Sequence, residues 1–240
     1  MKTMSKLGTM ATAATLSLVL SACGGKSEDS DTAAAMQQAG SMTGAPISGG
    51  GAAKVAAPTL AQGPDVCFKA IAKHIGANTK VSEITSFFSS GPEIDSSSTE
   101  PQGQLTTCSV QYQNPDDPRK LLGTRLDIAT GQFDKPSPVE ISVSGGNAAE
   151  FKLDDYLIPL SQLNPAALTA IMDSQKARLS GVYGKYAWTG VRLSSPDAFS
   201  QTHTLRLDVE GRLASNDIKE SGYASITPDG KKITTNYLLP

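Results

Sequence analysis

Hydrophobic and polar positions divide the chain into three stretches. Leu7 to Val19 is an apolar or small run without charge. From Gly24 to Gly63 there is no aromatic residue and no periodic apolar pattern, chiefly Ala, Gly, Ser, Gln and Thr around an acidic cluster at Glu28, Asp29 and Asp31. Beyond Pro64 the pattern becomes periodic. Cys67, Phe68, Ile71 and Ile75 fall at i, i+1, i+4 and i+8, the apolar face of a helix that Pro64 opens and Gly76 ends. A second helix is predicted where Asn164 caps and Pro165 starts. Leu168, Ile171, Met172 and Leu179 form its stripe, and Lys176 and Arg178 favour its negative end.

Strands follow each helix by period-two alternation. Cys108, Val110 and Tyr112 make one run; Leu122, Thr124, Leu126 and Ile128 a second; and, after a Gly131 turn, Val139, Ile141 and Val143 a third. Phe151 to Ile158 is a further strand or a bridge. Val191 and Leu193, then Leu205, Leu207 and Val209, a turn at Gly211, the residues from Leu213, the Pro228-Asp229-Gly230 turn, and Ile233, Thr235 and Tyr237 repeat the scheme. The predicted fold is α+β, two similar helix-plus-antiparallel-sheet units over 64–150 and 151–240. Pro115, Asp116, Arg125, Leu126 and Asp127 recur as Pro196, Asp197, Arg206, Leu207 and Asp208 at an offset of 81, while the helices align at 100 through Ala70-Ile71 and Ala170-Ile171. The Ser/Gly/Pro-rich stretch Ser89 to Gln104 supplies the difference. This is the pattern of an internal duplication, against the alternative that antiparallel meanders look alike because turns and alternation are generic.

The N-terminal run changes the picture most. Lys2 and Lys6 form a positive n-region, and the thirteen residues from Leu7 to Val19 are too few to span a bilayer core of about 30 Å as a helix. The run closes in Leu20-Ser21-Ala22-Cys23, which resembles the bacterial lipobox. The resemblance implies removal of signal peptide 1–22 and acylation of Cys23, leaving 23–63 as a lipidated N-terminus and disordered tether. The forty residues from Gly24 to Gly63 give an r.m.s. reach of roughly 35 Å. In the same family of signals, Asp after the cysteine retains lipoproteins at the inner membrane of enteric bacteria. Gly24 stands there instead, pointing to the outer membrane, facing the periplasm. Gly25-Lys26-Ser27 sits one step out of register with a Lys-Ser retention signal of efflux-pump adaptor lipoproteins.

Composition narrows the function. With 21 basic against 23 acidic groups in 240 residues, the chain lacks the charge footprint of a nucleic-acid binder. Assigning Cys23 to lipid leaves Cys67 and Cys108 as an even pair in an oxidising compartment, and both fall on apolar faces; a disulfide is predicted, against buried thiols or half of a metal site. The only histidines, His74 and His203, share no close-spaced ligand motif with them, so no metal and no cofactor is expected. No P-loop, Gly-x-Ser-x-Gly or His-Glu-x-x-His occurs. His74 reads as a helical surface or capping residue and His203 as a surface one. Asp116 and Asp117 could ligate a cation or pair with Arg119 but, without an EF-hand-like run of oxygen donors, read as a solvated turn, and Asp154-Asp155-Tyr156 reads as a polar edge or an acidic contact patch. Tyr183, Tyr186 and Trp188 concentrate three of the thirteen aromatics in six residues. They are candidate partner-binding residues, since Tyr and Trp are favoured at interface hot spots; filling a core is the alternative.

An exported chain with this element order, and with Arg-Leu-Asp on its strands, resembles the PepSY-like group that includes the β-lactamase inhibitor protein and related envelope lipoproteins. The resemblance covers 64–240 and carries no diagnostic motif. It implies a protein that binds proteins or inhibits enzymes rather than one that catalyses, and it transfers no functional residue. The expected function is a lipid-anchored, non-enzymatic binding protein, an inhibitor or immunity lipoprotein against a periplasmic toxin or lytic enzyme. An envelope structural or assembly role and an unrecognised hydrolase are the alternatives.

Overall fold

Where the sequence turns periodic, the chain forms α1, Val66–Ile75, which buries Cys67, Phe68 and Ile71 and ends at Gly76 with φ 92°. The computed structural model describes residues 56–142, 148–197 and 200–240. The signal peptide, Cys23 and the tether through Val55 lie outside the described residues, as do Val143 and the rest of 143–147. The second helix, α2, Leu168–Ser180, is preceded by one 3-10 turn at Pro165–Ala167. Asn164 stands at the head of that turn but makes no side-chain capping bond. The buried ends of the α2 stripe are Leu168 and Leu179.

Ten strands follow one another through the described residues: β1 Lys80–Phe88, β2 Leu105–Gln113, β3 Leu121–Asp127, β4 Gln132–Phe133, β5 Ser137–Val139, β6 Ile158–Pro159, β7 Tyr183–Ser194, β8 Thr204–Leu213, β9 Lys219–Ile226 and β10 Ile233–Tyr237. All join one sheet, in the order β10-β9-β8-β7-β1-β2-β3-β4, with β5 on β3 and β6 on β1. Every pairing is antiparallel. The strand order corrects the expected α+β pair of units. A single large antiparallel sheet dominates, and two short helices serve one shared core instead of closing a core each.

The seam explains the correction. β7 pairs directly with β1, Ile84 opposite Leu193 through Phe87 opposite Gly190, so the sheet has no edge at which a second unit would begin. The described residues, from 56 to 240, form one compact unit. The offset of 81 equates β2 with β7, whereas the strand that follows α1 as β7 follows α2 is β1.

β1 escaped the periodic reading because its inward set includes Ser82 and Ser86, its outward set includes Phe87, and its first residues are bulged. A register shift lies between Val81 and Glu83, so Val81, Ser82 and Ile84 are all buried. Gly211 is likewise no turn. It lies within β8, where an added Cβ would stand 2.5 Å from the Tyr183 ring, and the chain reverses only after Leu213. The third predicted run shrinks to β5, which ends at Val139.

Both helices pack on one face of the sheet. Cys67, Phe68 and Ile71 of α1 and Leu168 and Leu179 of α2 share a core with Ile84, Cys108, Trp188, Val191, Leu207 and Ile226. Cys67 and Cys108 are disulfide-bonded, tying α1 to β2 across 41 residues of sequence. The loop Ser89–Gln104 is no mere spacer. Ile94 is fully buried within it, Glu93 pairs with Lys185 at 2.6 Å and Asp95 with Lys219 at 2.5 Å, so it straps the ends of β7 and β9.

Candidate functional site on the open sheet face

A sheet covered on one face alternates buried and outward residues, and here the outward set is rich in side chains that bind. One row crosses the sheet. Thr235 of β10 is opposite Ser225 of β9, which is opposite Arg206 of β8, then Arg192 of β7, Thr85 of β1, Ser109 of β2 and Arg125 of β3. Two clefts open along it: one of about 440 Å³ bounded by Arg192, Arg206 and the loop residues Ser90 and Asp95, and one of about 390 Å³ over Thr85, Ser109 and Arg125.

Arg192 and Arg206 face each other across the β7–β8 pair, where like charges repel unless an acid intervenes. Asp208 intervenes. Arg192 donates from Nε at 2.9 Å and Nη2 at 3.0 Å to its two carboxylate oxygens, and Arg206 donates from Nε at 2.8 Å. Both guanidiniums also rest on rings: Arg206 lies 3.7 Å from the Tyr223 centroid and Arg192 5.5 Å from that of Phe87. Such contacts fix a charged plane that would otherwise wander. Tyr237 meets Tyr223 edge-on at 5.4 Å and is well exposed.

Gly190 makes the arrangement fit. Asp208 lies opposite it, and a Cβ there would come within 2.4 Å of the carboxylate Oδ2. At the far end of the first cleft, Lys219 bridges Asp95 and Glu210, the latter at 3.2 Å. Its ammonium, with the Ser97 hydroxyl, holds the Asp95 carboxyl well below the usual carboxylate range.

The sequence-predicted residues fall mostly elsewhere. Tyr183 and Trp188 are 2 % and 9 % exposed and belong to the helix-side core, with the Tyr183 hydroxyl donating to the Leu238 carbonyl at 3.2 Å. Tyr186 is partly buried against the same core and stands edge-on to Trp188 at 6.3 Å. The three aromatics therefore fit the core alternative, because they lie on the covered side of β7 and not beside Arg192. Asp117 forms a two-point pair with Arg119 at 2.9 and 3.0 Å, and Asp154 pairs with Lys80 at 2.8 Å. His74 stacks on Phe133 at 4.3 Å. His203, expected at the surface, is buried, with Nε2 lacking a partner among the described residues. Cys23 lies outside the described residues. No cluster of three or more metal-binding side chains occurs among the described residues, and no described helix is long and apolar enough to cross a membrane.

The Arg206-Leu207-Asp208 strand was visible in the sequence as one arm of the supposed repeat. Phe87, Arg192 and Tyr223 carried no such signal, since only the strand order brings them together. No protein-family model matches the chain, and no curated protein or solved structure matches it either. The PepSY-like resemblance draws no support from these comparisons.

Proposed function

We propose that this is a lipid-anchored, non-enzymatic binding protein of the bacterial envelope, held at the outer membrane and facing the periplasm, that seats a protein partner on the open face of its sheet. One observation carries the reading: a sheet face that carries no α-helix among the described residues, and whose β3 end is covered by the 3-10 turn Leu153–Tyr156 packed on Leu121, presents a prearranged cluster of arginines and aromatic rings, the residue types that dominate interface energetics. Tyr223 and Phe87 orient the guanidiniums before any partner arrives, so little side-chain freedom remains to be lost on binding. The specific form is an inhibitor or immunity lipoprotein that neutralises a toxin or lytic enzyme. The lipobox-like start and the tether's reach of roughly 35 Å support a domain that works near, but not in, a membrane.

A hydrolase draws no comparable support. The Ser195 hydroxyl proton is shared between the Ser82 and Tyr156 carbonyls, and no hydrogen bond joins Ser195 to His203 among the described residues. A photo-crosslinking residue at Ser109, on the open face, and another at Lys176, on the exposed side of α2, separate the readings in living cells. The expected adduct forms from Ser109 only, with an enzyme or toxin that the purified chain inhibits. Adducts from Lys176 alone, or turnover of cell-wall or ester substrates by the purified chain, would overturn the proposal.

A further inference from the structure

The arginine pair is prearranged but not neutralised. Each guanidinium carries five N–H donors in a plane. Three of these donors reach Asp208, and the remainder meet no acceptor among the described residues. The side chains are 29 % and 35 % exposed, so the free donors open into the first cleft. Asp208 is 14 % exposed and already accepts from both arginines.

Charges in this cleft are segregated. At one end two arginines share one carboxylate; at the other, Asp95 and Glu210 share Lys219. Beyond Arg192 the row continues through the uncharged Thr85 and Ser109 to Arg125, which has no ion-pair partner among the described residues. Glu83 lies off the row and accepts from Thr85 and Gln111. Asp134 stands beyond Arg125, its backbone N–H bonded to the Arg125 carbonyl. A bound segment lying along Arg206, Arg192 and Thr85 therefore meets cations, and one shifted toward Glu210 meets acids.

We infer that the Arg192–Arg206 pair is the receptor for a carboxylate side chain, Asp or Glu, on an acidic segment of the protein partner. This rests on the open-face reading above and gives it a chemistry. The incoming carboxylate takes guanidinium edges that Asp208 leaves free, turning two cations and one anion into two balanced pairs. Planar guanidinium donors favour a planar, two-oxygen acceptor. The aromatic plates hold both donors in place for it.

The test uses the full-length chain in a neutral detergent and two labelled peptides, an oligoglutamate and its oligoglutamine counterpart, read by fluorescence anisotropy at low and moderate salt. The glutamate peptide is expected to bind about tenfold more tightly or better, consistent with charge-assisted hydrogen bonds, and to weaken with salt. Arg206→Lys removes the stacked fork and should lose most of that preference. Thr85→Glu is the second variant: a carboxylate directly opposite Arg192 forms a favourable cross-strand pair, which offsets the lost Thr85–Glu83 hydrogen bond and the new like charge beside Glu83. It should occupy the receptor from within and abolish the preference for glutamate while the melting temperature stays close to the parent's.

Equal binding of the two peptides, or undiminished glutamate binding by Thr85→Glu, overturns the inference. So does equal competition by inorganic phosphate, or tighter capture of vesicles containing phosphatidylglycerol, either of which would make the pair a general anion site. If the peptides fail in this way while the Ser109 crosslinker still captures its inhibited enzyme, the carboxylate falls and the open-face reading stands. If Ser109 captures nothing and Lys176 does, the open-face reading falls first.

Discussion

Trp188→Ala and Phe87→Ala test whether the two faces of the sheet do different work. Trp188 is 9 % exposed, lies opposite Val209 and sits in the shared core; Phe87 is 36 % exposed and lies under Arg192 on the bare face. An indole of this kind buries on the order of 200 Å², which at about 25 cal/mol per Å² gives an upper figure of about 5 kcal/mol. Truncations of buried aromatics cost about 3–5 kcal/mol, in agreement. At about 2–4 °C per kcal/mol for a domain of this size, Trp188→Ala should melt about 6–20 °C below the parent. Phe87→Ala forfeits partial burial and one cation–π contact, about 1 kcal/mol, but should weaken partner capture. Thermal and urea unfolding give the first quantity and binding assays the second. A Trp188→Ala protein within about 1 kcal/mol of the parent, or a Phe87→Ala protein as unstable as Trp188→Ala, would refute the assignment of faces.

Three further outcomes are expected. Replacing Cys67 and Cys108 by Ser should cost about 3.9 kcal/mol on the chain-entropy estimate for a loop of 41 residues, and peptide mapping without reductant should recover the two cysteines as one linked peptide. Burial lowers the pKa of His203 below its ordinary 6.5, so below that pH the unfolded chain takes up a proton that the folded one refuses. Stability should thus be insensitive to this residue above pH 6.5 and decline as the pH falls toward the folded-state value, and His203→Phe should flatten that slope in urea titrations across the same range. Cys23→Ser should leave an unprocessed chain without lipid; a parent protein whose mature N-terminus begins elsewhere, with a free thiol at Cys23, would contradict the lipobox reading.

Helix positions, most strands and the disulfide were legible because each depends on residues close in sequence or on parity of cysteines. Cys67 on the α1 stripe and Cys108 on the inward set of β2 pointed to one core, and they meet there. β1 was not legible. Its bulge puts Val81 and Ser82 both inside, and beyond it two of the inward residues are the polar Ser82 and Ser86 while Phe87 points outward, so the burial alternates but the hydrophobicity does not, although β1 is the strand that joins the two halves of the sheet. Without β1, the β2–β3 and β7–β8 hairpins look like equivalent pieces of separate units. Trp188 illustrates a second limit. An aromatic cluster in sequence marks a place of high contact energy, but which side of a strand is covered depends on where the helices land, and α2 packs against β7 on the Trp188 side.

The candidate site belongs to the class of features that alternation alone cannot reveal. Period two separates Arg192 from Val191 and Arg206 from Leu207, placing the arginines outward, yet it says nothing of which strands are neighbours. The row needs β8 beside β7 and β7 beside β1. The first is a hairpin that local sequence suggests; the second joins Thr85 to Arg192 across more than half of the folded chain. The β7–β8 hairpin by itself sets Asp208 opposite Gly190 and between two arginines that would otherwise repel; closing the seam with β1 brings Phe87 under the Arg192 guanidinium and Thr85 opposite Arg192. A single continuous sheet, in place of two separate units, is therefore what brings Phe87 and Thr85 of β1 to the arginine pair of β7 and β8.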